Sequence, residues 1–156
     1  MVVSPADHLI LKENEFLDLI KKGIDQARAD EQLITLGIKP TRPETGDGYI
    51  QYHTEQNFTK KITTSTAKPE ISLAKKFLES GDFVWNAGIF IWSVQAIVKA
   101  IQLHLPEMAE VFEEIKSRLG SPQEKEAIAA AYPQCKSISI DYGVMEKASN
   151  VFVCLG

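Results

Sequence analysis

A chain of 156 residues can fold as one domain with a real core but is short for two. Its 44% apolar and 24% charged residues exclude a disordered tail, and a formal charge of -4 leaves no basic stripe for a nucleic-acid backbone. No apolar run reaches bilayer-spanning length, no signal peptide is recognisable, and the distant Cys135 and Cys154 suit a reduced, cytoplasmic chain.

Val2 and Val3 lead directly into a Ser4-Pro5-Ala6-Asp7-His8 turn, as the end of a buried strand would. Residues 14–30 are predicted to be an amphipathic helix, because Phe16, Ile20, Ile24 and Ala27 recur on one face. Asn14 is its expected N-cap, and Asp18 with Lys22 its i,i+4 pair. Residues 33–38 are rich in β-formers and read as a strand, which the two prolines and two glycines of residues 39–48 must end.

Residues 49–53 and 60–66 are predicted strands of a hairpin, and 72–79 a short helix stopped by Ser80-Gly81. A large apolar run follows over 84–92, then a helix from Val94 to the Leu105-Pro106 break. Residues 107–131 are helical twice over, divided at Gly120-Ser121-Pro122, with Pro122 suited to a first turn. Residues 137–140 alternate weakly, 142–148 suit a short helical turn, and 151–155 a last strand. Helices alternating with short strands indicate an α/β fold, with a mixed, mostly parallel sheet and flanking helices.

Four segments, in order, resemble the mannose-1-phosphate guanylyltransferases, a family of sugar-1-phosphate nucleotidyltransferases. They are Ser4-Pro5-Ala6-Asp7-His8, the 36–46 segment Leu-Gly-Ile-Lys-Pro-Thr-Arg-Pro-Glu-Thr-Gly, Trp85-Asn86-Ala87-Gly88-Ile89-Phe90, and the 139–147 segment Ser-Ile-Asp-Tyr-Gly-Val-Met-Glu-Lys. The resemblance runs over essentially the whole chain. It implies a Rossmann-like, glycosyltransferase-A-type nucleotidyltransferase domain that moves GMP from GTP to mannose 1-phosphate, with Mg2+ as cofactor. The family's glycine-rich Arg/Lys loop and its second aspartate motif fall outside residues 1–156. The expectation is therefore a partial domain, its central sugar-binding portion, inactive alone and able to self-associate through an exposed sheet edge.

By similarity, Asp7 is the first metal-binding aspartate; from the residues alone, an aspartate after proline is a turn former. His8, His53 and His104 have no partners by spacing and read as turn or scaffold residues. The Gly46-Asp47-Gly48-Tyr49 stretch matches a family loop whose glycines let the backbone approach the sugar; Asp47 stands where the family carries an aromatic residue. Thr66-Ala67-Lys68-Pro69 corresponds to a family Glu-Lys-Pro, so the glutamate's sugar contact is lost at Ala67 while Lys68 remains for the phosphate.

Asn86, an amide in an apolar run, is expected to bind sugar hydroxyls or to bond the backbone at a strand bend eased by Gly88. Trp85 and Trp92 beside it read as core. Asp141 and Glu146 lie in the last matching segment, where one of them would bind a hydroxyl or a metal-bound water. A carboxylate pair five apart fits a capped, solvated helix equally well. Two competing readings are a nucleotidyltransferase using glucose 1-phosphate with UTP or dTTP, and a non-catalytic binding module.

Overall fold

The computed structural model describes residues 1–66 and 68–156. They form two compact units, one of Met1–Ala96 with Ser149–Gly156 and one of Ile97–Ala148. The first unit holds strands β1 (Val2–Val3), β2 (Leu33–Ile38), β3 (Tyr49–Tyr52), β4 (Thr59–Thr66), β5 (Phe83–Ile91) and β6 (Val151–Leu155). Helices α1 (Glu13–Asp30) and α2 (Ile71–Ser80) accompany them.

The sheet order is β1-β5-β2-β6-β4-β3, and β3 also pairs with β5. Strands β5, β2, β6, β4 and β3 therefore form a closed ring of pairings. The sheet is mixed, but not mostly parallel as the sequence predicts: β2–β6 is the one parallel pair among the described strands. β1, β2 and β6 do run in one direction. The reversed β5 lies between β1 and β2, and the β3–β4 hairpin joins the ring, so most neighbours are antiparallel.

A small apolar cluster drawn from the ring strands contains Ile50, Val84 and Val153, with Tyr52 and Ile62 against it. Gly37 of β2 faces the same cluster. A Cβ on Gly37 would lie 2.4 Å from Val84 Cγ2 and 2.7 Å from Val153 Cγ2, so any larger residue overfills the ring. The opposite face of β2 and β5 packs on α1, where Ile20 and Ala27 meet Ile34, Leu36, Ile89 and Ile91. Each fully buried isoleucine there contributes roughly 1.5–3 kcal/mol by leaving water. Gly23, an oddity in the helical pattern, is buried where a Cβ would meet Ile91 Cδ1 at 2.6 Å. Helix α2 brings Phe77 onto Phe83, ring centroids 4.0 Å apart, and beside Tyr49.

Element boundaries follow the predicted ones closely, with four corrections. Lys12, not Asn14, precedes the first turn of α1, and no side chain caps it. Asp18 pairs with Lys21 at 3.7 Å rather than with Lys22. Residues 137–140 form no strand. Pro122 precedes its helix, and Pro106 takes the first-turn position instead.

Helix α3 (Val94–His104) begins in the first unit; α4 (Pro106–Ile115) and α5 (Glu124–Ala131) belong to the second. Ile115, Ala127 and Ala131 form the core of that unit, with Phe112 edge-on to Tyr132. Among the described residues, no helix is long and apolar enough to cross a membrane.

Gly37→Ala should destabilise the protein by roughly 1–3 kcal/mol in urea unfolding. Val84→Ala should recover part of that loss, with a coupling of at least about 0.5 kcal/mol, because it vacates the space the new methyl needs. Additive effects of the two changes would show that the ring interior is not the constraint.

Candidate functional site

Because β1, β2 and β6 run in one direction, their C-terminal ends lie together at one end of the sheet. A cavity of about 770 Å³ opens there. Asp7 and His8 from the turn after β1 line it, with Phe16 and Leu19 of α1 and with Ile38 and Leu155. Its walls are mostly apolar, and Asp7 among them is exposed.

Asn86 occupies an irregular stretch of β5. Thr35 pairs with Phe90 and Gly37 with Asn86, so a step of two residues on β2 matches four on β5. The surplus is taken up around Gly88, whose φ of 67° suits glycine. Asn86 Oδ1 accepts the Gly88 N–H at 3.1 Å and the Thr35 hydroxyl at 2.9 Å. The strand-bend role expected of Asn86 is thus present, and its carbonyl oxygen is committed to the fold.

The loop motifs converge on this irregular stretch. The Asn86 N–H donates to Gly48 O at 2.9 Å. A Cβ on Gly48 would lie 3.8 Å from Asn86 Cβ and 3.9 Å from Thr66 O. Pro5, in the same turn as Asp7, comes within 3.7 Å of where a Gly88 Cβ would be. Lys68, two residues past Thr66, is exposed and holds φ at 45°, a left-handed conformation that costs a lysine on the order of 1 kcal/mol. Ala67 lies outside the described residues. His8 and His53 are exposed and His104 half-buried. Trp92 is buried and stacked on Phe90, while Trp85 lies half-buried under Arg42, whose guanidinium sits 5.6 Å from the ring centroid.

Sequence reasoning missed two groups here. Thr35 is a hydroxyl in an otherwise apolar strand, and that mismatch was the available signal. Glu44 is the other. Its Oε1 accepts the N–H groups of Thr45 (3.0 Å) and Gly46 (3.1 Å), and its Oε2 accepts Arg42 Nε at 3.2 Å. The Glu44 N–H in turn donates to the buried Tyr49 hydroxyl. Gly46 itself is exposed, and a Cβ there would meet only Glu44 Oε1.

Asp141 and Glu146 belong to the second unit. Asp141 opens a π-helical turn over Asp141–Met145 and Glu146 follows its end, its N–H donating to Asp141 O. Partial burial, and then the Asp141 charge, raise the Glu146 carboxyl above its ordinary value, with Lys147 opposing. These two carboxylates thus act on one another, as five-residue spacing in a π-turn allows.

Among the described residues, no three His, Cys, Asp or Glu side chains gather as a metal-holding group. Asp7 alone still fits a magnesium ion, which is commonly held by one or two carboxylates plus substrate phosphates and retains its waters.

The bonds from Gly46 first, then Thr45 and Arg42, hold the Glu44 carboxyl below the ordinary glutamate value of 4.5. A depressed folded-state pKa means that these bonds act in full above the unfolded-state value and are lost as pH falls through the folded one. In an acid titration followed by NMR, the Thr45 and Gly46 amides should shift with a common midpoint below 4.5, and Glu44→Gln should remove that step. A midpoint at the ordinary value would mean the carboxylate is not held.

The nucleotidyl transferase family profile matches residues 1–132. An Escherichia coli mannose-1-phosphate guanylyltransferase is 33% identical over 159 aligned residues, covering 98% of this chain and 34% of that protein. A Thermus thermophilus structure described as a mannose-1-phosphate geranyltransferase superposes with a TM-score of 0.86 at 32% identity, over 99% of this chain and 44% of its own. A Helicobacter pylori structure described as a mannose-6-phosphate isomerase gives 0.81 at 25% identity, over 99% and 61%. This chain spans about a third of the length of the curated relatives it matches. With this sheet, and with a match over residues 1–132, the chain belongs to the nucleotidyl transferase family.

Proposed function

We propose that this chain is the sugar-phosphate-binding portion of a cytoplasmic mannose-1-phosphate guanylyltransferase. In that reaction a phosphate oxygen of α-D-mannose 1-phosphate attacks the α-phosphorus of GTP. The bond from that phosphorus to the β-phosphate bridging oxygen breaks, and pyrophosphate leaves with the electron pair. Such transfer depends on in-line positioning and charge neutralisation more than on a protein base.

The observation that carries the reading is the meeting of three separate motifs. Pro5 of the Asp7 turn approaches the open side of Gly88, and Gly48 O accepts the backbone N–H of Asn86. The 33% identity with the Escherichia coli guanylyltransferase supports the choice of sugar and nucleotide. In this reading Asp7 holds Mg2+, which when bound neutralises charge on the phosphate oxygens. The backbone at Gly46 and Gly48 approaches the sugar phosphate, and Lys68 supplies a point charge to the phosphate. Asn86 orients the sugar from β5. The exposed Val2 and Val3 of β1 make that sheet edge the candidate surface for self-association.

Substituted for the matching segment of the Escherichia coli relative, the chain should sustain GDP-mannose formation from GTP and mannose 1-phosphate. Asp7→Asn in that chimera should lower kcat/KM by about 100-fold. Equal kcat/KM for glucose 1-phosphate with UTP or dTTP would move the assignment to that enzyme class. A folded but inactive chimera would favour a non-catalytic module.

A further inference from the structure

We propose that Glu44 is a positioning residue for the 46–48 backbone, and that sugar-phosphate affinity depends on its carboxylate; this rests on the function proposed above. Two glycines give that stretch more conformational freedom than any other residue type would, so something must hold it for a ligand to meet a preformed surface. It is held at both ends. At its end, Gly48 O accepts the Asn86 N–H. At its start, Glu44 Oε1 takes the N–H groups of Thr45 and Gly46, while Arg42 Nε holds the other oxygen.

The Glu44 clamp is anchored on the sheet by two routes. Arg42 lies over the Trp85 ring, and the Glu44 N–H bonds the hydroxyl of Tyr49, a fully buried residue of β3. The first route ends on β5 one residue before Asn86, so both ends of the loop refer to the same strand. The carboxylate charge faces two N–H dipoles and a guanidinium, which offset its repulsion of an incoming phosphate.

A glutamine cannot replace this arrangement, because its NH2 would face the Arg42 Nε–H, donor against donor. An aspartate keeps the charge and can bond the N–H two residues ahead, as aspartate does in Asx-turns. The test is titration of the 156-residue chain with mannose 1-phosphate, read by the amide shifts of Gly46 and Gly48, with the melting temperature measured alongside. Glu44→Gln should raise Kd by about tenfold with Tm little changed, and Glu44→Asp should stay within about threefold. Equal Kd for wild type and Glu44→Gln would overturn the positioning role and leave the proposed function standing. A rise in Kd that tracks a fall in Tm in both variants would reduce Glu44 to a structural residue and overturn it too. If the wild-type chain shows no saturable shift, the sugar-phosphate reading fails, and this inference with it.

Discussion

The absence of a side chain at Gly37 is the constraint on which the rest of the first unit depends. Five strands pair in a ring around a cluster of only a few apolar residues, and the methyls of Val84 and Val153 already occupy the space next to β2. With no Cβ at that point, β2, β5 and β6 can lie side by side with the cluster filled. In a closed ring a strand cannot shift outward without disturbing its neighbours on both sides, so the cost of overfilling has no easy relief.

The closeness of β2 and β5 has a consequence at the sheet edge. Their registers differ by two residues between Thr35 and Gly37, and the surplus of β5 must leave the ladder. Gly88 makes that detour conformationally cheap, and the Asn86 amide satisfies the N–H that the detour releases. Thr35, one of the few buried polar residues, supplies a hydroxyl to the same oxygen. Next to the close approach at Gly37, β5 thus carries a polar, hydrogen-bonded feature, and two loops approach it. The Asp7 turn reaches it through Pro5, and the 46–48 segment through Gly48.

Charge around these loops is sorted by what each group touches. Glu44 is surrounded by donors and stabilised as the anion. Asp47 is exposed, and Lys68 is exposed in a strained backbone conformation. In the second unit the sign reverses: Glu146, partly desolvated and then repelled by the Asp141 charge, holds its proton more tightly than an ordinary glutamate. Two carboxylates of one type are thereby driven apart in acidity by N–H donors in one case and by burial and a like charge in the other.

The positions of the elements were determined largely by the sequence, because periodicity and turn chemistry are local. The strand Leu33–Ile38 and the helix from Val94 follow directly from apolar spacing and from the residues that cannot continue it. Asp7, Gly46, Gly48, Lys68 and Asn86 could be singled out because their motifs are contiguous. The direction of strand pairing could not be read in the same way. Whether β5 lies between β1 and β2 is a matter of long-range contact, and strand–helix alternation suits either arrangement. The sequence allows Asn86 either a ligand or the backbone, and tertiary structure supplies the backbone part by bringing Thr35 and Gly88 to one oxygen. The role of Glu44 is hidden in the sequence for the same physical reason. A glutamate in a polar loop looks solvated until the fold brings Arg42 over Trp85 and aims two amide groups at its carboxylate.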